Sequence, residues 1–291
     1  MPELPEVEIT RRTIEPLLVG REIADVKTTP PSYFFITPPD VLKQRLRGET
    51  LVGLERKGKY LVAEGKDGFR LLLHLGMTGQ LFSSHARSVR LLSSTARSSL
   101  APEEQGAFEP DRHTHLQFKF CDNGPDVFFR DVRKFGKVML LAPGEQNKRL
   151  DRLGEDALDV TGEKLFGASR KRKTAIKALL LDQSVIAGVG NIYADEALFY
   201  AGVRPGRRAL GMTRRECEGI AIEIRRVLKR SIETGGSSIS DYIAPDGTDG
   251  AYQDERRVYA RTGEPCYECH SPIRRKLVAQ RGTHYCPQCQ S

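Results

Sequence analysis

The chain has 291 residues, enough for two domains that each bury a core, and 39% apolar residues with 12 Phe and 9 Tyr mark it as globular. No apolar run approaches the roughly 18 residues of a membrane-spanning helix, and the charged, proline-broken start is unlike a secretory signal, which predicts a protein of the bacterial cytoplasm, or of a nucleus or organelle if eukaryotic. The formal charge of +8 is unevenly spread: 22 basic and 15 acidic residues from Glu163 onward give +7, leaving +1 for the first 162 residues, and so a polyanionic partner such as nucleic acid is favoured.

The chain opens Met1-Pro2-Glu3-Leu4-Pro5-Glu6. Methionine ahead of a small residue is normally trimmed, so the working terminus is predicted to be the secondary amine of Pro2. An α-amino group has a pKa of about 7.7 to 8.0, so much of it is the neutral nucleophile near neutral pH. It can form an iminium with a carbonyl-like carbon, with Glu3 beside it as proton donor. The same residues suit a plain helix start, because a first turn has no use for the N–H that proline lacks and Glu6 meets the positive end of the helix dipole. The residues alone leave both readings open.

Val7, Ile9, Ile14, Leu17 and Leu18 form a helical stripe over Pro5 to Leu18, closed by Gly20. Segments rich in β-branched and aromatic residues predict strands at Ile23 to Thr28, Tyr33 to Ile36, Leu51 to Lys57, Tyr60 to Glu64, Phe69 to Leu73, His115 to Cys121, Val127 to Arg130 and Lys137 to Leu141. A helix from Pro39 to Arg47, ended by Gly48, interrupts them, and Asp122-Asn123-Gly124-Pro125-Asp126 is a turn. The pattern predicts an antiparallel β-sandwich flanked by helices. Between Ser83 and Ser99 seven of 17 residues are serine and three are arginine. So few large apolar side chains cannot offset the entropy of ordering, and 83–110 is predicted to be a flexible surface insertion.

Pro143 to Lys164 lacks a strand pattern and marks a boundary, after which helices are predicted at Glu163 to Ser169, Ala175 to Leu181, Ile192 to Ala201 and Thr213 to Thr234. The last has the capping box Thr213-x-x-Glu216 and stops at Gly235-Gly236. In Asp182 to Asn191 two glycines allow a close backbone approach, and Asn191 stands where a helix begins, with unpaired N–H groups suited to a phosphate; Lys171-Arg172-Lys173 adds positive charge. Cys266-x2-Cys269-x16-Cys286-x2-Cys289 has the spacing of a tetrahedral zinc site, two disulfides being the alternative. Zinc on four thiolates would lower the formal charge from +8 to +6. Cys121 and Cys217 are read as packing residues. The resulting divisions are 1–145, a linker at 146–162, 163–236, a loop at 237–254 and a finger at 255–291.

In this order, Pro2-Glu3-Leu4-Pro5-Glu6-Val7-Glu8, Lys59-Tyr60-Leu61, His74-Leu75-Gly76-Met77-Thr78-Gly79, Arg133-Lys134-Phe135-Gly136, Gly188-Val189-Gly190-Asn191-Ile192-Tyr193 and the four-cysteine finger resemble bacterial formamidopyrimidine-DNA glycosylase over the whole chain except the insertion. The resemblance implies an α+β protein of two domains: an N-terminal antiparallel β-sandwich flanked by helices, and a C-terminal helical helix-two-turn-helix domain with a zinc finger. It implies a bifunctional glycosylase and abasic-site lyase of base excision repair, with one structural Zn2+ held by Cys266, Cys269, Cys286 and Cys289, acting as a monomer on damaged duplex DNA in the bacterial cytoplasm.

Pro2 would attack the sugar C1′ and Glu3 would act as acid and base. Lys59 would serve β-elimination and Arg281 δ-elimination. His113, Arg133 and Arg172 match DNA-contacting positions, His74 and Asn191 would hold phosphates, and 237–254 would close over the extruded base. Extrusion leaves a hole in the duplex that Met77 and Phe135 have the size to fill, while Arg133 can donate to the orphaned base; packing in a core is the plain alternative for Met77 and Phe135. Leu4 and His74-Leu75-Gly76-Met77 side with the oxidised-purine branch over the endonuclease VIII branch. Val258-Tyr259-Ala260-Arg261 departs from the usual Val-Tyr-Gly-Arg, and Tyr252 stands where Phe is common. Outside the enzyme class, a zinc-ribbon DNA-binding module would leave Pro2, Glu3 and Lys59 dispensable.

Overall fold

In the computed structural model, which describes residues 2–86, 110–238, 242 and 244–291, the chain divides into two units. One is Met1–Asn147 with Gly235–Ala251, the other Lys148–Thr234 with Tyr252–Ser291.

The first unit opens with helix α1 (Leu4–Leu18), whose first turn is a capping box in which Glu6 accepts the Glu3 N–H at 2.8 Å. Val7, Ile14 and Leu18 are buried as the stripe requires, and Gly20 ends the element at φ +79°. There follow β1 (Ile23–Thr28), α2 (Pro39–Leu46), β2 (Leu51–Lys57), β3 (Tyr60–Gly65), β4 (Arg70–His74), β5 (Gly79–Ser83), β6 (Thr114–Phe120), β7 (Val127–Asp131) and β8 (Lys137–Leu141). They form two four-stranded antiparallel sheets, β1-β6-β7-β5 and β2-β3-β4-β8. One core of Phe34, Leu61, Leu71, Leu73, Phe118, Phe129 and Val138 lies with the α1 stripe, so the expected sandwich is what forms. A buried carboxylate on α1 is also accounted for. Glu8 takes hydrogen bonds from Arg12 at 2.8 Å and from Arg11 and Arg56 at 3.1 Å. Burial pushes its pKa up, but the three guanidiniums outweigh that and hold it below the ordinary carboxylate value.

Three expectations are corrected here. Tyr33 to Ile36 is not a strand: Phe34 turns into the core against Phe129, and only an isolated bridge joins Phe35 to Val138. Cys121 is not a packing residue but exposed just past β6. Ser83 is the buried last residue of β5, and Ala86 packs against Phe82 and Phe128, so the insertion does not begin at 83. Residues 87–109 lie outside the described residues.

The second unit contains α3 (Lys148–Asp151), β9 (Glu155–Asp156), α4 (Gly162–Ser169), α5 (Ile176–Leu181), β10 (Ile186–Ala187), α6 (Asn191–Tyr200), α7 (Arg214–Glu233), β11 (Arg274–Val278) and β12 (Arg281–Tyr285). The Thr213 capping box forms as read, with Glu216 N–H on the Thr213 hydroxyl at 3.2 Å and Thr213 N–H on the Glu216 carboxylate at 2.8 Å. Cys217 is buried in α7 as expected. Helix α6 is buried nearly all round and carries two carboxylates inward. Glu196 accepts N–H groups from Arg257, Val258 and Tyr259 at 2.7 to 3.0 Å; burial raises its pKa against their pull. Asp195 forms a fully buried ion pair with Lys177 of α5 at 2.7 Å and accepts the His284 N–H of β12 at 2.8 Å. Removing one partner of such a pair strands a buried charge, so these contacts fix β12 on α5 and α6.

Candidate nucleic-acid interface and metal centre

In the first unit Pro2 and Glu3 are buried at the head of α1. Lys59 lies in the two-residue turn Gly58-Lys59 between β2 and β3, made possible by Gly58 at φ +58°. The same unit includes Gly235–Ala251, part of which is bound to α1: Glu6 accepts the Ser237 N–H at 2.9 Å, and the Tyr242 hydroxyl donates to the Glu6 carbonyl at 3.1 Å. Sequence reasoning saw Glu6 only as a first-turn charge. Its second role depends on a residue 231 positions away, and no local signal carries it.

Two crossovers between the sheets hold three more of the predicted residues, Met77, Arg133 and Phe135. One leads from β4 to β5 through Leu75-Gly76-Met77-Thr78, the other from β7 to β8 through Val132-Arg133-Lys134-Phe135-Gly136. A Cβ on Gly76 would come within 2.5 Å of the Gly136 nitrogen and the Phe135 carbonyl carbon, so glycine lets the loops touch. Met77 is 38% and Phe135 42% exposed, so neither is a core residue. Arg133 is exposed, its guanidinium carbon 4.7 Å from the Phe135 ring centre. His74, at the end of β4, packs its ring at a tilt against Tyr60 with ring centres 4.7 Å apart and accepts the Gly76 N–H at 3.2 Å. His113 precedes β6; burial, with Arg130, Arg112 and Lys134 nearby, outweighs Asp111 and lowers its pKa, which keeps it neutral near neutral pH.

In the second unit Arg172 follows α4 and pairs with Asp182 at 2.5 Å. Burial pushes the Asp182 carboxyl up, but Ser184 and Arg172 together bring its pKa below the usual value, so the pair stays ionised and holds the guanidinium in place. Asn191, the first residue of α6, donates from its side chain to the Gly282 carbonyl at 3.0 Å and lies 3.5 Å from the Tyr259 hydroxyl. Lys177 reaches the same carbonyl at 3.3 Å and the Thr283 hydroxyl at 2.8 Å. Both therefore anchor the β11–β12 hairpin, an element absent from the sequence reading, whose turn precedes the exposed Arg281.

That turn is Ala279-Gln280, with both residues at positive φ, 50° and 60°. A tight hairpin asks for this backbone and ordinarily fills it with Asn-Gly. The double substitution Ala279→Asn with Gln280→Gly is expected to raise thermal stability by about 1 kcal/mol, because each left-handed non-glycine residue costs roughly that much and glycine's greater freedom when unfolded returns only part of it. An unchanged melting curve would show that the turn is not strained.

Cys266, Cys269, Cys286 and Cys289 converge, with every Sγ within 4.8 Å of the others. Cys266 and Cys289 are 3.8 Å apart and Cys269 and Cys286 3.4 Å. Disulfide sulfurs lie about 2.05 Å apart, whereas four sulfurs at about 2.3 Å from a central zinc lie roughly 3.8 Å from one another. The donor set therefore fits one structural Zn2+, and the disulfide alternative is set aside.

The family model for the formamidopyrimidine-DNA glycosylase N-terminal domain matches residues 1–138, that for the formamidopyrimidine-DNA glycosylase H2TH domain residues 153–243, and that for the zinc finger found in FPG and IleRS residues 263–291. The chain is 41% identical over 295 residues to the formamidopyrimidine-DNA glycosylase of Geobacillus kaustophilus and 42% over 292 residues to that of Thiobacillus denitrificans, with all of both chains covered in each case. Among solved structures it is similar to MutM (Fpg) from Thermus thermophilus, at TM-score 0.83 and 36% identity over 99% of this chain and 98% of that one. Lactococcus lactis Fpg in complex with abasic-site DNA aligns at TM-score 0.84 and 34% identity over 99% of each chain.

Proposed function

The chain belongs to the formamidopyrimidine-DNA glycosylase family, and from that premise we propose that it excises oxidised purines, 8-oxoguanine and formamidopyrimidines, from duplex DNA and then cuts the strand as an abasic-site lyase. It would act as a monomer in the bacterial cytoplasm. No helix among the described residues is long and apolar enough to cross a membrane. The reading is supported most by the exposed group Met77, Arg133 and Phe135 on two touching loops, in the unit that also starts with Pro2-Glu3.

The chemistry assigned to these residues is a displacement followed by two eliminations. The neutral Pro2 nitrogen attacks C1′ of the extruded nucleotide, the glycosidic bond breaks, and the base leaves with a proton. Glu3 supplies and removes protons as the sugar ring opens and a protein–DNA iminium forms. Loss of a C2′ proton then expels the 3′ phosphate with Lys59 as proton donor, and a second elimination with Arg281 expels the 5′ phosphate. Met77 and Phe135 fill the vacated stack while Arg133 donates to the orphaned base. His74 and Asn191 hold phosphates, His113 and Arg172 contact the DNA, and the loop 237–254, of which 239–241 and 243 lie outside the described residues, closes over the lesion. The finger's zinc is structural and takes no part in the steps.

A duplex carrying 8-oxoguanine opposite cytosine tests this directly, since incision is expected and binding without incision would favour the zinc-ribbon module. The same duplex separates two kinds of contact. Arg133→Ala is expected to relax the preference for cytosine, because its guanidinium matches acceptors on that pairing edge. Arg172→Ala is expected to weaken binding to all duplexes alike and to flatten the salt dependence by about one charge. Identical behaviour of the two variants in competition titrations at several salt concentrations would contradict the assignment.

A further inference from the structure

Asp131 is the last residue of β7 and is fully buried, yet the mechanism above gives it no task. Its carboxylate sits between the two crossovers. One oxygen accepts the Thr78 hydroxyl at 2.5 Å and the Arg133 N–H at 3.2 Å; the other accepts the Gly136 N–H at 2.7 Å. The Thr78 oxygen also accepts the Arg133 N–H at 3.1 Å. A buried carboxylate is tolerated only when its lone pairs are satisfied, and each donor it gathers is thereby placed.

These donors flank the residues that would enter the duplex: Thr78 follows Met77, the Arg133 N–H belongs to the base reader, and Gly136 follows Phe135. Further hydrogen bonds hold the backbone on either side of this carboxylate. The Asp131 carbonyl accepts from His115 Nε2 at 2.9 Å, and His115 Nδ1 lies 3.1 Å from the Thr29 hydroxyl. Burial holds the His115 pKa below its ordinary value, so the ring is neutral, with Nε2 as donor and Nδ1 as acceptor. The Tyr33 hydroxyl fixes the far side by donating to the Arg133 carbonyl at 2.8 Å.

We infer that Asp131 is a positioning residue for opposite-base discrimination, its carboxylate holding Arg133, Met77 and Phe135 in one arrangement so that the guanidinium meets the orphaned base at a fixed distance. The inference rests on the reading of Arg133 given above. Asparagine is the informative replacement. It keeps the volume and one acceptor but turns an N–H2 toward the Gly136 N–H, so that donor faces donor.

The experiment compares single-turnover excision of 8-oxoguanine opposite cytosine and opposite adenine for the full-length, zinc-loaded protein. Asp131→Asn is expected to reduce the cytosine-to-adenine rate ratio about tenfold, since small misplacements of an orienting group have effects of that size or larger. A residue that merely stabilised the fold would slow both reactions equally and leave the ratio unchanged. Thr78→Val, isosteric but without the bridging hydroxyl, is expected to lower the ratio as well, and Thr78→Ser to return it toward wild type; this pair carries the test if Asp131→Asn does not fold. Wild-type ratios in Asp131→Asn and Thr78→Val, alongside a lost preference in Arg133→Ala, would overturn the role of Asp131 alone. A wild-type protein without preference, or an Arg133→Ala variant that keeps it, would overturn the reading of Arg133 and this inference with it.

Discussion

Borohydride added during turnover is expected to leave a stable protein–DNA adduct on the N-terminal peptide, and a chain that keeps Met1 is expected to give none. The difference is electronic. With Met1 attached, the Pro2 nitrogen is an amide whose lone pair is delocalised into a carbonyl. Once freed, it is an amine that is substantially neutral near pH 8. Pro2→Gly retains a terminal amine and should still trap, weakly. Glu3→Gln removes the group that can give and take a proton, for which a loss of about 10² to 10⁴ in base release is expected. Lys59→Ala should slow strand cleavage more than trapping, because elimination follows iminium formation. An adduct mapped to Lys59, or full activity with Met1 in place, would sink the mechanism and leave Pro2 to Glu6 as a helix cap.

Loss of the metal should be the second large effect. Metal analysis is expected to find one zinc per chain, and Cys286→Ala, or chelation under mild denaturation, to abolish tight duplex binding. Structural zinc contributes about 10 to 16 kcal/mol in small fingers, more than the apolar residues here can replace. Phe199, Val258 and Ile273 form a small cluster in which Cys266 and Cys286 are themselves members. Gln290 ties the end of the chain by accepting the Cys286 N–H and donating to the Val203 carbonyl, both at 2.8 Å, so a collapsed metal site would release this contact. Without the metal, the hairpin that presents Arg281 would keep its hydrogen bonds to Lys177, Asp195 and Asn191 but lose the bracing of the cysteines on either side of it. A zinc-free preparation, or a Cys286→Ala variant that binds duplex DNA normally, would refute the role of the metal.

Much of this protein could be read from local pattern, because the signals are short-range. The α1 stripe, the Thr213 capping box, the glycine stops and the alternating apolar strands act within a few residues, and each predicted helix and every predicted strand but Tyr33 to Ile36 lies within a residue or two of its expected bounds. The cysteine spacing likewise determined which four thiols meet. Apart from the local β11–β12 hairpin and the exposed Cys121, expectations failed where a partner distant in sequence decides. Tyr33 to Ile36 has strand composition, but its pairing stops at a single bridge to Val138 while Phe34 packs beside Phe129. Strand β5 was hidden because it abuts a serine-rich segment, and it forms by pairing with β7 from Gly79↔Asp131 to Ser83↔Val127.

The candidate site divides along the same line. Residue types told which side chains have the chemistry: an N-terminal proline, a glutamate beside it, a lysine in a turn, an arginine next to an aromatic. Their support was not legible, because hydrogen bonding to Asp131 joins Thr78 across 53 residues and Glu6 binds Ser237 across 231. A short motif records chemistry and spacing along the chain. Which buried carboxylate gathers which loop is decided only when two sheets close on one core, since only then does an unsatisfied charge become costly enough to dictate where its donors lie.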